Sequence, residues 1–317
     1  MARPLRRHRL RFAMRRTIHI VATPGSGNGR ALDKARALRA ALRARGHRTK
    51  LDVFPDLTAL HRWVAAPPFP FSLVVCVGGD GTLDTVAAAA AARSAPLLAV
   101  GSGFGNLFAR ALGQPTRVER AVALVERGEV VHVDVGLRNR NTFVCQESFG
   151  LLDQIQQTTE ATPTSRLRWR RSIAYYQTAL HHLRAAPLPS LRVVVDGRVV
   201  TTDAVIVTVA NVETYGPWLP LTPEASPTDG VLDVFVMRAR SRREIVARLL
   251  KRQLRLDAND AGAFIRRGRH VSVVAPGRRP QELHVLPRRL PVIVSSETAR
   301  ALARSVAPVP ASGRRVA

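Results

Sequence analysis

Short apolar runs alternate with amphipathic segments in the first third of the chain. Four of these runs are bounded by turn residues and have the length of strands, at 18–22, 51–54, 73–77 and 97–100. The segments between them carry apolar residues at helical spacing and predict helices, among them 57–65, 83–92, 106–112 and one with an inner face of Leu32, Ala35, Leu38 and Leu42. This alternation predicts a parallel sheet with helices on both faces, and the unbroken apolar run 73–77 fits a central strand.

The pattern changes near Val130, beyond which strand-like runs dominate. They lie at 130–135, 142–146, 191–195, 205–210, 231–237, 271–274 and 290–294. Their spacing and turn residues favour a second, mainly antiparallel and β-sandwich-like domain. Helical segments are expected around 172–183, at 242–254 and at 298–306. We therefore divide the chain into an α/β domain at 17–134, a β-rich domain at 135–294 and a C-terminal tail at 295–317.

Arginine gives the chain a large positive charge, because 49 basic residues stand against 23 acidic ones and only Lys34, Lys50 and Lys251 are lysines. Arginine-rich coding would explain the choice of arginine over lysine, but not the shortage of acidic residues. A net charge of +26 favours anionic partners, which include membrane surfaces, nucleotide phosphates and nucleic acid. Since only 5% of the residues are aromatic and no zinc-finger spacing occurs, we expect no nucleic-acid partner.

The cellular location is predicted from the same composition. No apolar stretch approaches the roughly 20 residues that cross a bilayer. The basic N-terminus lacks the apolar core of a secretory signal. It is interpreted either as a basic arm that touches lipid headgroups or as an extension before a true start at Met14, and the second interpretation is favoured because a strand is predicted directly after Arg16. Cys76 and Cys145 both lie in apolar runs and fit a reducing compartment. We expect a cytoplasmic protein that associates peripherally with membranes.

Three glycine-rich segments each follow a predicted strand, and they read TPGSGNG at 23–29, GGDGT at 78–82 and GSGFGN at 101–106. Glycines allow close approach to a ligand, and amides at the start of a helix favour an anion. Ligands of open α/β sheets bind along the carboxyl edge of the strands, where all three segments are expected. Candidate phosphate-binding residues are Gly25, Ser26, Gly27, Gly78, Gly79, Asp80, Gly81, Thr82, Gly103, Gly105 and Asn106.

Asp80 is the acidic residue of the second segment and the main catalytic candidate. Its carboxylate could orient Mg²⁺ or polarise a hydroxyl group. Thr82 could cap the following helix and also bond to a phosphate oxygen. The alternative is a capped tight turn in which Asp80 is an ordinary turn residue.

Four blocks of the chain resemble the diacylglycerol kinase-like family, which includes sphingosine kinases and bacterial lipid kinases. The segment VVCVGGDGTLDTV is similar to the Gly-Gly-Asp-Gly-Thr motif that this family shares, more distantly, with NAD kinases. The other three blocks are AVGSGFGNLFARALGQP, VDVG and VANVETYGPWLPLTPEASPTDGVLDV. The first glycine segment is also similar to the lipid-kinase motif Asn-Pro-x-Ser-Gly, with Thr23 in place of Asn. The last block favours the lipid-kinase branch over NAD kinases, and the resemblance covers the chain from about residue 18 to residue 294.

The resemblance implies a fold, a reaction and a set of ligands. It implies a nucleotide-binding α/β domain and a β-rich lipid-substrate domain with the site between them. It also implies transfer of the γ-phosphoryl group of ATP to a lipid hydroxyl, such as that of diacylglycerol, with residues 78–82 holding the phosphates. A structural Mg²⁺ is implied at the carboxylate of Asp229 and the carbonyls of Ser226 and Val231, where the alternative is a simple Asp-Gly turn. The partners are then a nucleotide, a lipid substrate and an anionic membrane surface, and a homodimer stays open.

The sequence departs from the family pattern at four places. Phe104 and Thr85 stand where the family has a threonine and a glutamate, and Phe54 stands where a further threonine contacts the nucleotide. The family's C-terminal Asp-Gly-Glu, which supplies a base for the lipid hydroxyl, is missing, and Glu282 is the only carboxylate near that position. Glu282 is therefore the second catalytic candidate. The alternative function is a non-catalytic family member that binds nucleotide or lipid without phosphorylating it.

Overall fold

The structure is a computed structural model, and it describes residues 8–9, 16–24, 29–65, 72–103, 105–161, 187–216, 219–254, 256 and 260–305. Its strands are β1 His8–Arg9, β2 Thr17–Ala22, β3 Arg48–Val53, β4 Leu73–Gly78, β5 Leu97–Gly101, β6 Glu129–Arg138, β7 Asn141–Phe143, β8 Gln146–Gly150, β9 Leu191–Val195, β10 Arg198–Ala210, β11 Thr214–Gly216, β12 Leu219–Thr222, β13 Leu232–Arg238, β14 Ala263–Gly268, β15 His270–Val274 and β16 Gln281–Val294. Its helices are α1 Arg30–Ala44, α2 Leu57–Ala65, α3 Asp80–Ala92, α4 Leu107–Ala111, α5 Val118–Arg127, α6 Leu151–Ala161, α7 Arg242–Gln253 and α8 Ser296–Ser305.

The first domain is built on parallel strands in the order β5-β4-β2-β3. All six residues of β4 are buried, because helices cover both faces of the sheet. One face packs against α2 and α3 in a core that includes Leu60, Trp63 and Leu83. The other face packs against α1 and α5, where Leu38 and Val125 are fully buried. The predicted parallel sheet between two layers of helices is confirmed.

The second domain is mainly antiparallel, with the strand order β14-β13-β10-β9-β15-β16. Alternate residues of β9, such as Val193 and Val195, point into its core together with Val207 and Val234. The prediction of an antiparallel, sandwich-like second domain is confirmed. No helix in the described ranges is long and apolar enough to span a membrane.

β16 joins the two domains and corrects the predicted C-terminal tail. Its beginning pairs with β15, whereas its end pairs with β6 and runs parallel to β5, with Val292 opposite Leu97. α8 follows at once, and its Ala299 and Leu302 lie in the core of the first domain. Residues 295–305 therefore belong to the first domain, and the rest of the predicted tail, 306–317, lies outside the described residues.

Other predicted elements differ from the observed ones in ways that matter for the site. The predicted strand 142–146 is split into β7 and β8, because Val144 and Cys145 leave the ladder and contact α3. α5 was not predicted, although its amphipathic pattern is visible in the sequence. The helix expected around 172–183 and the loop residues 25–28 lie outside the described residues.

Candidate functional site

The glycine segments that follow β4 and β5 lie side by side at the carboxyl edge of the parallel sheet. The amide of Ser102 donates to the carbonyl oxygen of Gly78 at 3.0 Å. A Cβ atom on Gly103 would lie only 2.7 Å from the Cα atom of Gly79, so a larger residue would push the two loops apart. At the neighbouring β2, the hydroxyl groups of Thr23 and Thr82 lie 2.9 Å apart, so the second segment is also tied to the start of the first.

The Asp80 side chain holds the third glycine segment in place. Its carboxyl group accepts hydrogen bonds from the amides of Leu107, Phe108 and Asn106, which begin α4. Burial raises the pKa of Asp80, and these amides and the Cys145 thiol, whose Sγ atom lies 3.7 Å from Oδ1, act to lower it. The assignment of Asp80 as a phosphate or Mg²⁺ contact stays a prediction, since the observed contacts make it a link between two loops.

Asn106 closes the third segment on itself. Its Oδ1 atom accepts from the amide of Gly103 and its Nδ2 atom donates to the carbonyl of the same residue, both at 2.8 Å. Asn106 thereby adopts a left-handed backbone conformation, with φ of 47°. The predicted ligand residues Gly103 and Asn106 thus fix the shape of the loop, while Phe104 between them lies outside the described residues.

A second acidic residue, Asp84, was missed by the sequence analysis. It lies one helical turn after Asp80 on α3 and accepts a hydrogen bond from the Val144 amide at 2.7 Å. Burial raises the pKa of Asp84 well above its usual range, and the neighbouring charge of Asp80 raises it further. The pattern of two aspartates four residues apart at the start of a helix could have revealed this pair.

Lys34 is the other residue that the sequence analysis missed. It projects from α1 towards the glycine segments, and its Nζ atom donates to the carbonyl oxygen of Gly101 at 3.0 Å. Burial lowers the pKa of Lys34, and the charge of Arg30, one turn earlier on the same helix, lowers it further. Lys34 therefore places a cation at the edge of the sheet, with the charge of Arg30 near it. The sequence feature that could have identified Lys34 is the rarity of lysine, since the whole chain has only three.

Thr85 and Phe54, which also depart from the family pattern, have different surroundings. Thr85 is buried in α3, where its hydroxyl group donates to the carbonyl oxygen of Gly81 at 3.2 Å. Phe54 directly follows β3 at the same edge of the sheet as the glycine segments, and its ring centroid lies 5.6 Å from that of Trp63. Phe54 therefore offers an apolar surface where the family has a threonine.

Two polar residues of the turn that follows β10 face the first domain. Asn211 is buried and donates from Nδ2 to the carbonyl oxygens of Asp134 and Val144, at 2.9 and 3.1 Å. Two residues later, Glu213 is half-buried and faces the charge of Arg110 on α4. Burial raises the pKa of Glu213, and Arg110 lowers it. Glu213 thus places a carboxyl group beside the short helix that Asp80 positions.

The predicted magnesium residues surround an arginine. The Asp229 carboxylate forms an ion pair with Nη2 of Arg267, and Nε of the same guanidinium lies 3.2 Å from Asp233. Burial raises the pKa of Asp229, and it raises that of Asp233 to about 6, although Arg267 lowers both. Nowhere in the described ranges do three or more His, Cys, Asp or Glu side chains form a cluster that could hold a metal ion.

The magnesium assignment at Ser226, Asp229 and Val231 stays a prediction that this geometry does not favour, because Arg267 already supplies a positive charge to the Asp229 carboxylate. The surrounding loop is held without a metal. The fully buried Asp134 carboxylate accepts from the amides of Gly230 and Arg288, each at 2.7 Å. Asp134 thereby connects β6, the loop before β13 and the bulge in β16.

Glu282 lies in the hairpin of β15 and β16, away from these contacts. Its side chain is exposed and accepts a hydrogen bond from the hydroxyl group of Ser272 at 2.7 Å, while its amide donates to Asn139. All of these partners belong to the second domain. The assignment of Glu282 as a catalytic base stays a prediction that this geometry does not favour.

Two family models match consecutive parts of the chain. Residues 17–137 match the diacylglycerol kinase catalytic domain, and residues 154–278 match the YegS C-terminal NAD kinase beta sandwich-like domain. The chain is 29% identical over 248 residues to a diacylglycerol kinase of Mycobacterium tuberculosis H37Rv, which covers 76% of this chain and 78% of that protein. It is 25% identical over 247 residues to a Bacillus subtilis diacylglycerol kinase, with 67% and 80% covered.

A solved structure has the same fold. The crystal structure of a putative diacylglycerol kinase from Bacillus anthracis Sterne aligns with 89% of this chain and 98% of its own chain. The TM-score is 0.67 and the sequence identity is 21%, so this likeness concerns the fold alone.

Proposed function

The chain belongs to the diacylglycerol kinase catalytic-domain family, and from that premise we propose that it transfers the γ-phosphoryl group of ATP to a lipid hydroxyl, such as that of diacylglycerol. The observation that carries this proposal is the close contact of the second and third glycine segments beside Lys34. Backbone amides and a partly buried cation at the carboxyl edge of a parallel sheet suit nucleotide phosphates.

The residues of this chain would share the work of phosphoryl transfer. The amides of residues 78–82 and the charges of Lys34 and Arg30 would bind the phosphates, and Asp80 would keep the third segment beside them. The lipid oxygen forms the new bond to the γ-phosphorus, the bond from phosphorus to the β–γ bridging oxygen breaks, and ADP leaves. Catalysis of this kind consists mainly of positioning and of neutralising charge.

The proton of the lipid hydroxyl needs an acceptor, and Glu213 is better placed for this than Glu282. Glu213 faces Arg110 at the first domain, and its raised pKa suits a general base. We expect Glu213→Gln to lower turnover by about 10²-fold, whereas Glu282→Gln should stay within about twofold of wild type. Steady-state rates of lipid phosphorylation compare the two variants, which carry the same chemical change. Equal activities of Glu213→Gln and wild type would remove Glu213 from this role.

Lys34 should affect nucleotide binding more than folding. Lys34→Met removes a charge beside the proposed phosphates, so we expect ATP to bind about 10-fold more weakly, with a melting temperature near that of wild type. Lys50→Met is the matched control, because Lys50 lies on β3 and pairs with Asp52 at 3.3 Å. Isothermal titration calorimetry with a non-hydrolysable ATP analogue measures the ATP affinity of both variants. An unchanged affinity of Lys34→Met would place the phosphates elsewhere.

The second candidate function is binding of nucleotide or lipid without catalysis, and a specific observation favours it. The Asp80 carboxyl group is engaged by the amides of α4, and the family's Asp-Gly-Glu is absent from the sequence. A non-catalytic member that binds nucleotide or lipid would have the same structure. Such a protein would bind the ATP analogue, but it would consume no ATP with any lipid.

The direct test of the proposal is ATP consumption with a panel of acceptors. Diacylglycerol, a sphingoid base and a monoacylglycerol are each supplied in mixed micelles with Mg²⁺ and ATP. We expect ADP formation to depend on one of these lipids. Consumption that no acceptor stimulates, together with normal binding of the ATP analogue, would favour the non-catalytic alternative.

A further inference from the structure

The outer face of α7 carries a stripe of exposed aliphatic side chains. Val246, Leu250 and Leu254 follow one another at four-residue steps, so they lie along one side of the helix. Their exposed fractions are 39%, 58% and 65%, and Leu256 just beyond the helix is 69% exposed. Of the seven large apolar residues that are exposed in the described ranges, these four fall within eleven consecutive positions. Such clustering marks an interaction surface.

The opposite face of α7 is fixed to the second domain, so the stripe cannot turn inward. Ile245 is fully buried. The buried Arg252 donates to the carbonyl oxygens of Pro220 and Leu221, at 2.7 and 2.8 Å. Its guanidinium lies 4.8 Å from the ring centroid of Phe235.

Further contacts fix both ends of the helix. The Ser241 hydroxyl caps the first turn by accepting from the amide of Glu244 at 3.3 Å. Near the other end, Nε of Arg248 bonds to Asp260 at 3.1 Å, while another nitrogen of Arg248 pairs with Glu244. α7 is therefore a rigid element with its apolar stripe directed outward.

The charges beside the aliphatic stripe indicate which kind of partner binds over it. Arg243 and Lys251 are exposed, and on the helix they lie next to the aliphatic positions. Residues 242–256 contain six basic residues and one acidic residue, Glu244, in a chain with a net charge of +26. An apolar stripe flanked by cations is the pattern of a helix that lies in the interface of an anionic membrane.

We propose that α7 docks the protein onto anionic phospholipid surfaces, with Leu250 and Leu254 inserted among the acyl chains and Arg243 and Lys251 at the headgroups. This inference rests on the proposed function, because a lipid acceptor must be taken from a bilayer. A second copy of the chain fits the stripe less well. Two such faces would bring like charges together, and a stable protein interface takes about 20–30 residues a side.

The position of α7 relates docking to the site. α7 packs on β12, which pairs with β11, and β11 begins directly after Glu213. The docked helix and Glu213 are therefore connected by the hairpin of β11 and β12.

The test compares a double variant, Leu250→Ser with Leu254→Ser, with the control Val199→Ser, whose exposed valine lies on β10. Both are sedimented with phosphatidylcholine vesicles with and without phosphatidylglycerol. We expect wild type and the control to prefer the anionic vesicles and to lose binding in high salt, and the double variant to bind about 10- to 100-fold more weakly. A second double variant, Arg243→Gln with Lys251→Gln, should lose about 10-fold in binding to anionic vesicles only.

Vesicle binding by the leucine variant at the wild-type level would overturn the proposal, as would equal binding of wild type to neutral and anionic vesicles. Loss of a wild-type dimer in the leucine variant, without any loss of vesicle binding, would instead assign the stripe to a second copy. Phosphorylation of a water-soluble, short-chain diacylglycerol separates the two proposals. If the kinase assignment alone is wrong, the vesicle results hold and no short-chain product forms.

Discussion

Asp80→Asn should slow phosphoryl transfer by roughly 10²- to 10³-fold while the protein stays folded. The substitution keeps the size of the side chain and one hydrogen-bond acceptor for the amides at the start of α4. Asparagine has one acceptor oxygen fewer than the carboxylate, and losing it costs stability. Burial disfavours the ionised carboxyl group, so removing its charge offsets part of that cost. The melting temperature should therefore change by a few degrees at most, whereas the phosphates lose the whole electrostatic contribution of the Asp80 charge.

Asp84→Asn is the matched control, since it is the same change one turn later on α3. The Asp84 side chain bonds to the amide of Val144 and does not hold the third glycine segment. We expect its turnover to stay within about tenfold of wild type. Lipid phosphorylation, thermal melting and binding of the ATP analogue are measured for both. An Asp80→Asn rate near that of wild type would remove Asp80 from the site, and an equal fall in both variants would point to general damage to α3.

Arg267→Ala should destabilise the folded protein by about 3 kcal/mol, which lowers the melting temperature by about 5–10 °C. It removes the guanidinium that pairs with both Asp229 and Asp233, whose side chains are 7% and 3% exposed. Arg266→Ala is the control, because the exposed Arg266 precedes it on β14 and lies over the ring of Phe264, 4.7 Å from the ring centroid. That variant should lose less than about 1 kcal/mol.

The pH dependence of the Arg267→Ala effect follows from the raised pKa values. The pKa of Asp233 is about 6 in the folded protein and about 3.9 when unfolded, so its contribution to stability is lost as the pH rises through 6. Removing Arg267 raises the pKa further. The deficit in melting temperature should therefore be small near pH 4, where the Asp233 carboxyl group is protonated, and largest above about pH 7. A deficit that is constant across this range would contradict the ion pair.

Metal removal gives an independent check of the same site. Since the guanidinium of Arg267 supplies the positive charge, we expect neither EDTA nor added Mg²⁺ to change the melting temperature of the nucleotide-free wild type. A fall of several degrees in EDTA would restore the magnesium site that the family resemblance implies at Asp229. Arg267→Lys, which keeps the charge, should retain most of the stability lost in Arg267→Ala.

The sequence predicted the fold well where local patterns decide it. The run 73–77 is apolar because β4 is covered on both faces, and α2 and α7 are amphipathic because each packs on one side. Local patterns could not predict that β16 pairs with strands of both domains. Its pairing with both β15 and β5 depends on contacts between residues almost 200 positions apart, as Val292 and Leu97 show.

The site was predicted less completely, because side-chain direction decides it. Glycine spacing located the loops, but it could not show that Asp80 turns towards the amides of α4. It also could not show that Lys34 reaches Gly101 from another helix, or that Arg267 on a distant strand pairs with Asp229. Glu282 was chosen for its position in the sequence, and the pairing of β15 with β16 directs it to Ser272.

Transfer of labelled phosphate tests the central claim most directly. The protein is incubated with Mg²⁺ and ATP labelled at the γ-phosphate, with diacylglycerol in anionic vesicles, and the organic phase is extracted and counted. We predict that label enters a phospholipid product with wild type and falls by at least roughly 10²-fold with Asp80→Asn. Label that stays in ATP or appears only as free phosphate, with every lipid of the panel, would contradict the assignment of this chain as a lipid kinase.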